Sequence, residues 1–288
     1  MASGGARLCA DADASTRQVE ALGATYVLLQ RPRSHDHAFT LWDAGLGFVR
    51  FLEANRKALA ALSGKRVLEL GAGCGLVSMV LAAHGAHALA TDLPHVVDHL
   101  RGCIGANGFR LGLAAAGGPP RAAAGAGGSI DAAPLAWGDA AGVAALVAQW
   151  GPFDAVVGTD VVYQDRLVRP LLRTALEAAL LSVDSRGAAG GGDDPARQLR
   201  PRTVLYFANE ERDAHTHALF ERLSKALFGA RLLPPKSYHP DSAGTSLRIY
   251  EGRLKPGATL EAVRAATEAP PPEAAGGSGG SGGGGGSG

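Results

Sequence analysis

The sequence predicts an α/β fold with a seven-stranded, mostly parallel sheet and helices on both faces. From residue 66 onward, short apolar runs alternate with segments of helical spacing, as in a parallel sheet with crossover helices. Residues 67–76 read Val-Leu-Glu-Leu-Gly-Ala-Gly-Cys-Gly-Leu, a strand followed by three closely spaced glycines. Asp92 ends the next apolar run, about 20 residues later, where a βαβ unit carries the carboxylate that binds a ribose.

The elements follow in order along the chain. We expect residues 1–24, which are small and polar, to be disordered, and order to begin with a short apolar strand near Tyr26. A helical pattern covers residues 41–62. The core elements are then predicted as strand 66–70, helix 76–84, strand 87–91, helix 94–107, a strand ending near 137, strand 153–159, helix 167–181, strand 203–208, helix 214–228 and strands near 231–233 and 246–250.

We expect one domain over residues 25–255. Two Ala/Gly/Pro-rich stretches, 112–128 and 186–200, are predicted to be flexible insertions, because such residues bury too little surface to order a segment. Residues 256–288 are rich in Ala, Pro, Gly and Ser, the composition of a disordered tail.

Composition bounds the class of protein. An apolar fraction of 46% suits a globular chain with a real core. Three widely spaced cysteines predict neither a disulfide framework nor a metal site, and favour a reducing compartment. Because no segment at the start combines a basic region with an apolar stretch, and no apolar run is long enough for a membrane, we expect a cytoplasmic protein, with the nucleus as an alternative location. We also expect a monomer. A net charge of +1 gives no strong signal for nucleic acid.

The glycine spacing decides between adenosine cofactors. The dinucleotide pattern G-x-G-x-x-G needs glycine at position 76, where this chain has Leu76; the pattern here is G-x-G-x-G. A pyrophosphate needs an open helix N-terminus, whereas S-adenosylmethionine carries no phosphate and has cationic groups, which Glu69 would suit. We therefore expect S-adenosylmethionine, with a tight turn that binds no ligand as the alternative.

Further candidate residues follow the later strands. Asp160 and Tyr163 lie three residues apart just after an apolar strand, where they would face an incoming amine. Asp160 would hold the ammonium and Tyr163 would orient the amine, while a helix cap and a core contact are the alternatives. Trp137 is predicted to lie against the adenine or to cover the sheet edge, and Trp42 to close over the cofactor.

Other polar clusters receive no role. His84, His87, His95 and His99 lack a supporting arrangement of cysteines or carboxylates, so a metal site is not expected. The segment Glu210-Glu211-Arg212-Asp213 is interpreted as a solvated helix start, with the rim of a substrate site as the alternative.

The chain resembles the seven-β-strand protein-lysine methyltransferases of methyltransferase family 16, including the methyltransferase-like 21 and valosin-containing-protein branches. The resemblance runs from Tyr26 to Lys255 through Leu-Trp-Asp-Ala, the glycine run, Thr-Asp-Leu-Pro, Trp-Gly, Gly-Thr-Asp-Val-Val-Tyr and Leu-Arg-Ile-Tyr-Glu. It implies a Rossmann-like fold and a protein substrate, a lysine of a chaperone or AAA ATPase. It also implies cofactor contacts at Trp42, Gly71, Ala72, Gly73, Asp92, Trp137 and Thr159, and a substrate motif at Asp160 and Tyr163.

This chain departs from the family pattern at two cysteines. Cys74 replaces a usual threonine in the glycine run, and Cys103 stands where an asparagine is common. Neither change removes an expected ligand.

The predicted function is methyl transfer from S-adenosylmethionine to a lysine ε-amine. Three rivals stay open because a fold does not fix a function. They are a methyltransferase for a small molecule or nucleic-acid base, a non-catalytic cofactor-binding module, and a nicotinamide oxidoreductase, whose fingerprint Leu76 breaks.

Overall fold

The computed structural model describes residues 15–34, 37–111, 127–187, 203–242, 244–255 and 261. Its strands are β1 (Ser15–Ala21), β2 (Ala24–Gln30), β3 (Arg66–Leu70), β4 (His87–Asp92), β5 (Ser129–Pro134), β6 (Ala155–Thr159), β7 (Val204–Glu210), β8 (Arg231–Leu232) and β9 (Leu247–Arg253). Its α-helices are α1 (Asp43–Ala54), α2 (Arg56–Leu62), α3 (Leu76–Ala83), α4 (Val97–Ala106), α5 (Ala140–Trp150), α6 (Asp165–Gly187) and α7 (Ala214–Phe228).

Seven strands form the main sheet in the order β5-β4-β3-β6-β7-β9-β8. The pairs from β5 to β7 are parallel, and β9 runs antiparallel to β7 and β8. The chain leaves β3 toward β4 and β5, then returns to the other side of β3 as β6. The order therefore reverses between β3 and β6, and a crevice opens there at the carboxyl ends of the strands.

Helices cover both faces of this sheet. Side chains alternate between the faces along each strand, so Val67 enters one core and Leu68 the other. The first core includes α1, α3 and α4, and the second includes α5, α6 and α7. The expected seven-stranded, mostly parallel sheet with helices on both faces is confirmed.

The amino-terminal segment differs from its prediction. Ser15–Ala21 pairs with β2 in an antiparallel hairpin, so the expected disorder up to residue 24 is wrong for this part. Leu22 and Gly23 form the turn with φ of 54° and 83°, the left-handed geometry of a tight hairpin. Asn107 fixes the hairpin to α4, because its side chain accepts from the Val27 amide and donates to the Val27 carbonyl, both at 2.7 Å.

Three helices also differ from the sequence pattern. The helix expected over 41–62 divides at Asn55, whose side chain donates to the carbonyls of Phe51 and Ser237. Helix α5, which was not predicted, begins after Asp139, whose side chain accepts from the Gly142 amide as an N-cap. Helix α6 continues to Gly187 instead of ending at 181. Most of both predicted insertions and the tail lie outside the described residues.

Candidate active site

A cavity of about 890 Å³ opens where the sheet order reverses. Its walls come from the segment before α1, from the carboxyl ends of β3, β4 and β6, and from the residues after β5 and β7. The lining residues are His37, Ala38, Thr40, Leu41, Trp42, Gly45, Gly71, Ala72, Gly73, Cys74, Asp92, Leu93, Leu135, Ala136, Trp137, Thr159, Asp160, Val161, Tyr163, Gln164, Arg166, Leu167 and Arg212.

The glycine turn forms the floor of this cavity. Gly71 and Gly73 have φ of 70° and 55°, a conformation that side chains disfavour. A Cβ on Gly71 would lie 3.0 Å from Trp137 and Val161, and one on Gly73 would lie 3.0 Å from the Ala38 carbonyl oxygen. These positions require glycine because both backbone geometry and close neighbours exclude a side chain.

Asp92 joins the glycine turn to the end of β4. Its Oδ2 accepts a hydrogen bond from the Gly73 amide and its Oδ1 accepts one from the Leu93 amide, each at 2.8 Å. The carboxylate is nearly buried yet lines the cavity. A carboxylate can accept several hydrogen bonds, and the position of Asp92 on the cavity wall suits contact with ribose hydroxyls.

Two tryptophans lie on different walls. Trp137 lines the cavity next to Gly71, at a position that fits the predicted contact with an adenine ring. Trp42 is 37% exposed at the mouth, and its indole N–H donates to the His37 carbonyl at 2.8 Å. Ala72 and Thr159 also line the cavity, so seven of the eight predicted cofactor residues surround one space.

Glu69 is the exception. Its side chain is buried beneath α3 and does not line the cavity. The carboxylate accepts hydrogen bonds from the amide of Ser78, at 3.0 Å, and from the Ser78 hydroxyl. Burial raises the pKa of Glu69 to about 7. The predicted contact with a cationic cofactor is therefore corrected: Glu69 satisfies a free amide in the first turn of a helix.

Asp160 has a strained backbone at the end of β6. Its φ is 57°, which is uncommon for a residue with a side chain. The surrounding chain holds it there: the Asp160 amide donates to the Ala208 carbonyl at 2.8 Å. The buried Asn209 side chain accepts from the amides of Val161 and Val162 at 2.9 and 3.1 Å. Such strain persists only where neighbours enforce it, and it concentrates at functional sites.

Arg212, for which the sequence offers the rim of a substrate site only as an alternative, lines the cavity. Its guanidinium donates to both oxygens of the almost fully buried Asp160 carboxylate, at 2.5 and 2.6 Å. It also pairs with Glu210 at 3.0 Å and lies 5.0 Å from the centre of the Trp42 ring. The expected helix-cap alternative for Asp160 is wrong, since α6 begins at Asp165. The interpretation of this segment as a solvated helix start is corrected for Arg212.

Aromatic side chains surround the mouth of the cavity beside this ion pair. The His37 ring lies 5.6 Å from Trp42 and 6.5 Å from Tyr163, edge-on to both. Tyr163 is 40% exposed and faces the cavity near Asp160. The mouth thus presents an aromatic rim to whatever enters from solvent.

A second cluster lies behind the glycine turn. The Nε2 atom of His99 lies 3.9 Å from Cys74 Sγ and 3.7 Å from Cys103 Sγ. The expectation that these histidines lack a cysteine partner is therefore wrong for His99. The neighbouring Cys74 and His99 lower the pKa of Cys103, whereas Cys103 and burial raise the pKa of Cys74. The two cysteines are 29 positions apart in sequence, so local spacing gives no sign of their contact.

Within the described residues, no helix is long and apolar enough to cross a membrane.

The sheet order, the glycine turn and the carboxylate after β4 define a Rossmann-like fold with a nucleotide-type crevice. The chain belongs to the lysine methyltransferase family, whose model matches residues 25–184. These findings confirm the predicted family, and with it S-adenosylmethionine as the cofactor.

Individual relatives agree with this assignment. EEF1A lysine methyltransferase 3 of Mus musculus is 31% identical over 220 residues, which cover 75% of this chain and 72% of that protein. Protein N-lysine methyltransferase METTL21A of Danio rerio is 32% identical, over 48% of this chain and 53% of its own length. EEF1A lysine methyltransferase 3 of Xenopus tropicalis is 30% identical, over 44% of this chain and 46% of its own. The chain thus spans about half the length of these last two relatives.

Among solved structures, the chain is similar to a 16S rRNA N2 G1207 methyltransferase of T. thermophilus in complex with AdoMet and guanosine. The TM-score is 0.49 at 18% identity, covering 84% of this chain and 51% of that one. A structural similarity this low does not indicate the substrate of this chain.

Proposed function

We propose that this protein transfers a methyl group from S-adenosylmethionine to a lysine ε-amine of another protein. One observation carries the proposal: Asp160 and Tyr163 face the same cavity as the glycine turn, Asp92 and Trp137. A cofactor bound along β3 and β4 and an amine entering beside β6 would therefore meet in one space.

The donor is expected to be held by backbone and by few side chains. Asp92 would accept from the ribose hydroxyls, Trp137 would cover the adenine, and the amides of the glycine turn would lie against the methionine part. The bound cofactor supplies an electrophilic methyl group on a sulfonium. The amine nitrogen would take this methyl group, and sulfur would keep the electrons of the broken carbon–sulfur bond.

The acceptor must lose a proton before it can react, because a lysine in water is almost always protonated. Asp160, paired with Arg212, would accept a hydrogen bond from the arriving amine through a remaining lone pair. The Arg212 guanidinium would offset the negative charge of Asp160, which by itself would raise the pKa of a lysine beside it. Tyr163 would orient the neutral amine, and the proton would leave to water.

The aromatic rim supports a peptide chain as the entering partner. Trp42, His37 and Tyr163 expose ring surface at the mouth, where the aliphatic stem of a lysine can lie against them. Within the proposal, the substrate is a cytosolic chaperone or AAA ATPase. The names of two relatives add EEF1A as a third candidate. A cytoplasmic location and a monomeric state complete the proposal.

The test uses purified full-length chain, tritiated S-adenosylmethionine and cell lysate, with and without ribonuclease. We expect a labelled protein band that resists ribonuclease, contains methyl-lysine by mass spectrometry and is lost in Asp160→Asn. Asp98→Asn is the matched control, since Asp98 is exposed on α4 and pairs with Arg101. Label confined to RNA or small molecules would overturn the protein substrate, and cofactor binding with no transfer would favour a non-catalytic module.

A further inference from the structure

Three side chains with metal-binding atoms converge behind the glycine turn. Cys74 belongs to the turn, and His99 and Cys103 lie on α4. Their sulfur and nitrogen atoms all lie within 4.8 Å of one another. His99 and Cys103 are four residues apart on the helix, so they lie on one face, as chelating pairs do.

The distances agree with those that one zinc ion requires. Zinc binds sulfur at about 2.3 Å and nitrogen at about 2.0 Å, which sets a shared sulfur and nitrogen roughly 3.5–3.8 Å apart. The observed separations between His99 Nε2 and the two sulfurs are 3.7 and 3.9 Å. Only small side-chain movements would bring all three atoms onto one ion.

A fourth donor is within reach. The Leu29 carbonyl oxygen of β2 lies 3.5 Å from each of the two sulfurs. Both thiols thus point toward one oxygen that belongs to a third segment of the chain. Two sulfurs and one imidazole are ligands that zinc prefers, and a water or this oxygen would complete a tetrahedral arrangement.

The surroundings fix the donors and still admit an ion. Both cysteines are buried, whereas His99 is half-buried and leaves a route from solvent. The Phe39 ring packs edge-on against the imidazole at 4.8 Å and limits its orientation. Hydrogen bonds to the Leu29 carbonyl satisfy the two buried thiols. They do not explain why the His99 Nε2 atom also faces both sulfurs.

We propose that Cys74, His99 and Cys103 bind one zinc ion that joins the glycine turn to α4. Zinc would replace the two thiol protons, which leave to solvent, so that two thiolates and one neutral imidazole hold it. The ion would fix the turn whose Gly73 amide bonds Asp92. This role is structural and does not depend on which substrate the protein methylates.

The test measures metal binding directly on the full chain, purified without a polyhistidine tag. Zinc is titrated against a chromophoric chelator, and cobalt is used as a spectroscopic probe. We expect one zinc per chain and a cobalt spectrum with thiolate charge-transfer bands. Both should be lost in Cys74→Ser and in Cys103→Ser.

A second comparison isolates the histidine. His99→Gln should lose the bound zinc. His95→Gln makes the same change at a nearby exposed histidine outside the cluster and should keep the zinc. Unchanged zinc affinity in both cysteine variants would overturn the proposal, because the ion would then bind elsewhere. A Cys74–Cys103 disulfide that takes up no zinc after reduction would also overturn it.

Proton release keeps the proposal testable if a serine variant fails to fold. The wild-type chain should release protons in proportion to the zinc bound at neutral pH, from those ligand groups that are still protonated. Release that does not accompany zinc uptake would contradict thiolate ligation. A chelator should also lower the thermal midpoint of zinc-loaded wild type and leave a folded Cys103→Ser variant unchanged.

Discussion

The two halves of the cavity are built in different ways. The donor half, comprising Gly71, Gly73, Asp92 and Trp137, depends on backbone geometry and on a hydrogen bond between residues 19 positions apart. The acceptor half, comprising Asp160, Tyr163 and Arg212, depends on an ion pair between residues 52 positions apart. The difference implies that cofactor binding and methyl transfer can be damaged separately.

The largest expected effect is on transfer. Asp160→Asn removes the charge that pairs with Arg212 and faces the amine, so transfer should fall by about 100-fold or more. Binding of S-adenosylmethionine should stay within a few-fold, because Asp160 belongs to the acceptor half. Capture of tritiated protein on filters measures the rate of methyl transfer, and titration calorimetry measures the affinity for S-adenosylmethionine. Equal rates in this variant and in Asp98→Asn would refute the role of Asp160.

A change in the donor half should act on binding instead. Asp92→Ala removes a charged acceptor from the Gly73 amide and from the expected ribose contact. We predict a loss of affinity for S-adenosylmethionine of about 10-fold or more, since such hydrogen bonds contribute about 1.5–3 kcal/mol. Equilibrium dialysis measures this loss. An unchanged dissociation constant would separate Asp92 from the cofactor.

The ion pair itself should change the pH dependence of transfer. Arg212→Gln leaves the negative charge of Asp160 uncompensated and so favours the ammonium of the lysine; activity at pH 7 should fall by roughly 10-fold and recover as pH rises. Arg212→Lys keeps the charge but loses the bidentate geometry, so its activity at pH 7 should lie between those of wild type and Arg212→Gln. Rates from pH 6 to 10 at saturating cofactor provide the check. Superimposable profiles would mean that Arg212 only positions Asp160.

The last predicted effect is on stability rather than on activity, and it arises outside the cavity. Glu69 has a pKa raised from 4.5 to about 7 by burial, so the folded chain keeps this proton at pH values where the unfolded chain releases it. The free energy of unfolding therefore decreases as pH rises from about 4.5 to 7, by on the order of 3 kcal/mol. Glu69→Gln should lack this decrease. Thermal midpoints from pH 5 to 8 measure the slope, and parallel curves would contradict it.

The sheet is the part of the fold that sequence predicts best. The expected and observed bounds of β3 and α7 coincide, at 66–70 and 214–228, because strong apolar patterns and clear caps mark them. Strand β1 was missed because its sequence, Ser-Thr-Arg-Gln-Val-Glu-Ala, is mostly polar and is ordered by pairing with β2. Asn55 interrupts a helical pattern through a bond to Ser237, 182 positions away.

The same distinction holds in the site. The glycine turn and Asp92 are predictable because one βαβ unit contains both, and its geometry fixes their separation. Arg212 follows β7, so its contact with Asp160 depends on how β6 and β7 pair. Glu69 was assigned to the cofactor because its position in the chain does not reveal which face of β3 its side chain occupies. Contacts that depend on strand register and helix packing cannot be predicted from local sequence patterns.

The most direct test measures binding and transfer on the same preparations of wild type, Asp160→Asn and Asp92→Ala. Affinity for S-adenosylmethionine and the rate of methyl-lysine formation at saturating cofactor are determined for each. We predict that Asp160→Asn binds cofactor normally and forms almost no methyl-lysine, and that excess cofactor restores transfer in Asp92→Ala. Parallel loss of binding and transfer in Asp160→Asn would contradict the division of the cavity into donor and acceptor halves.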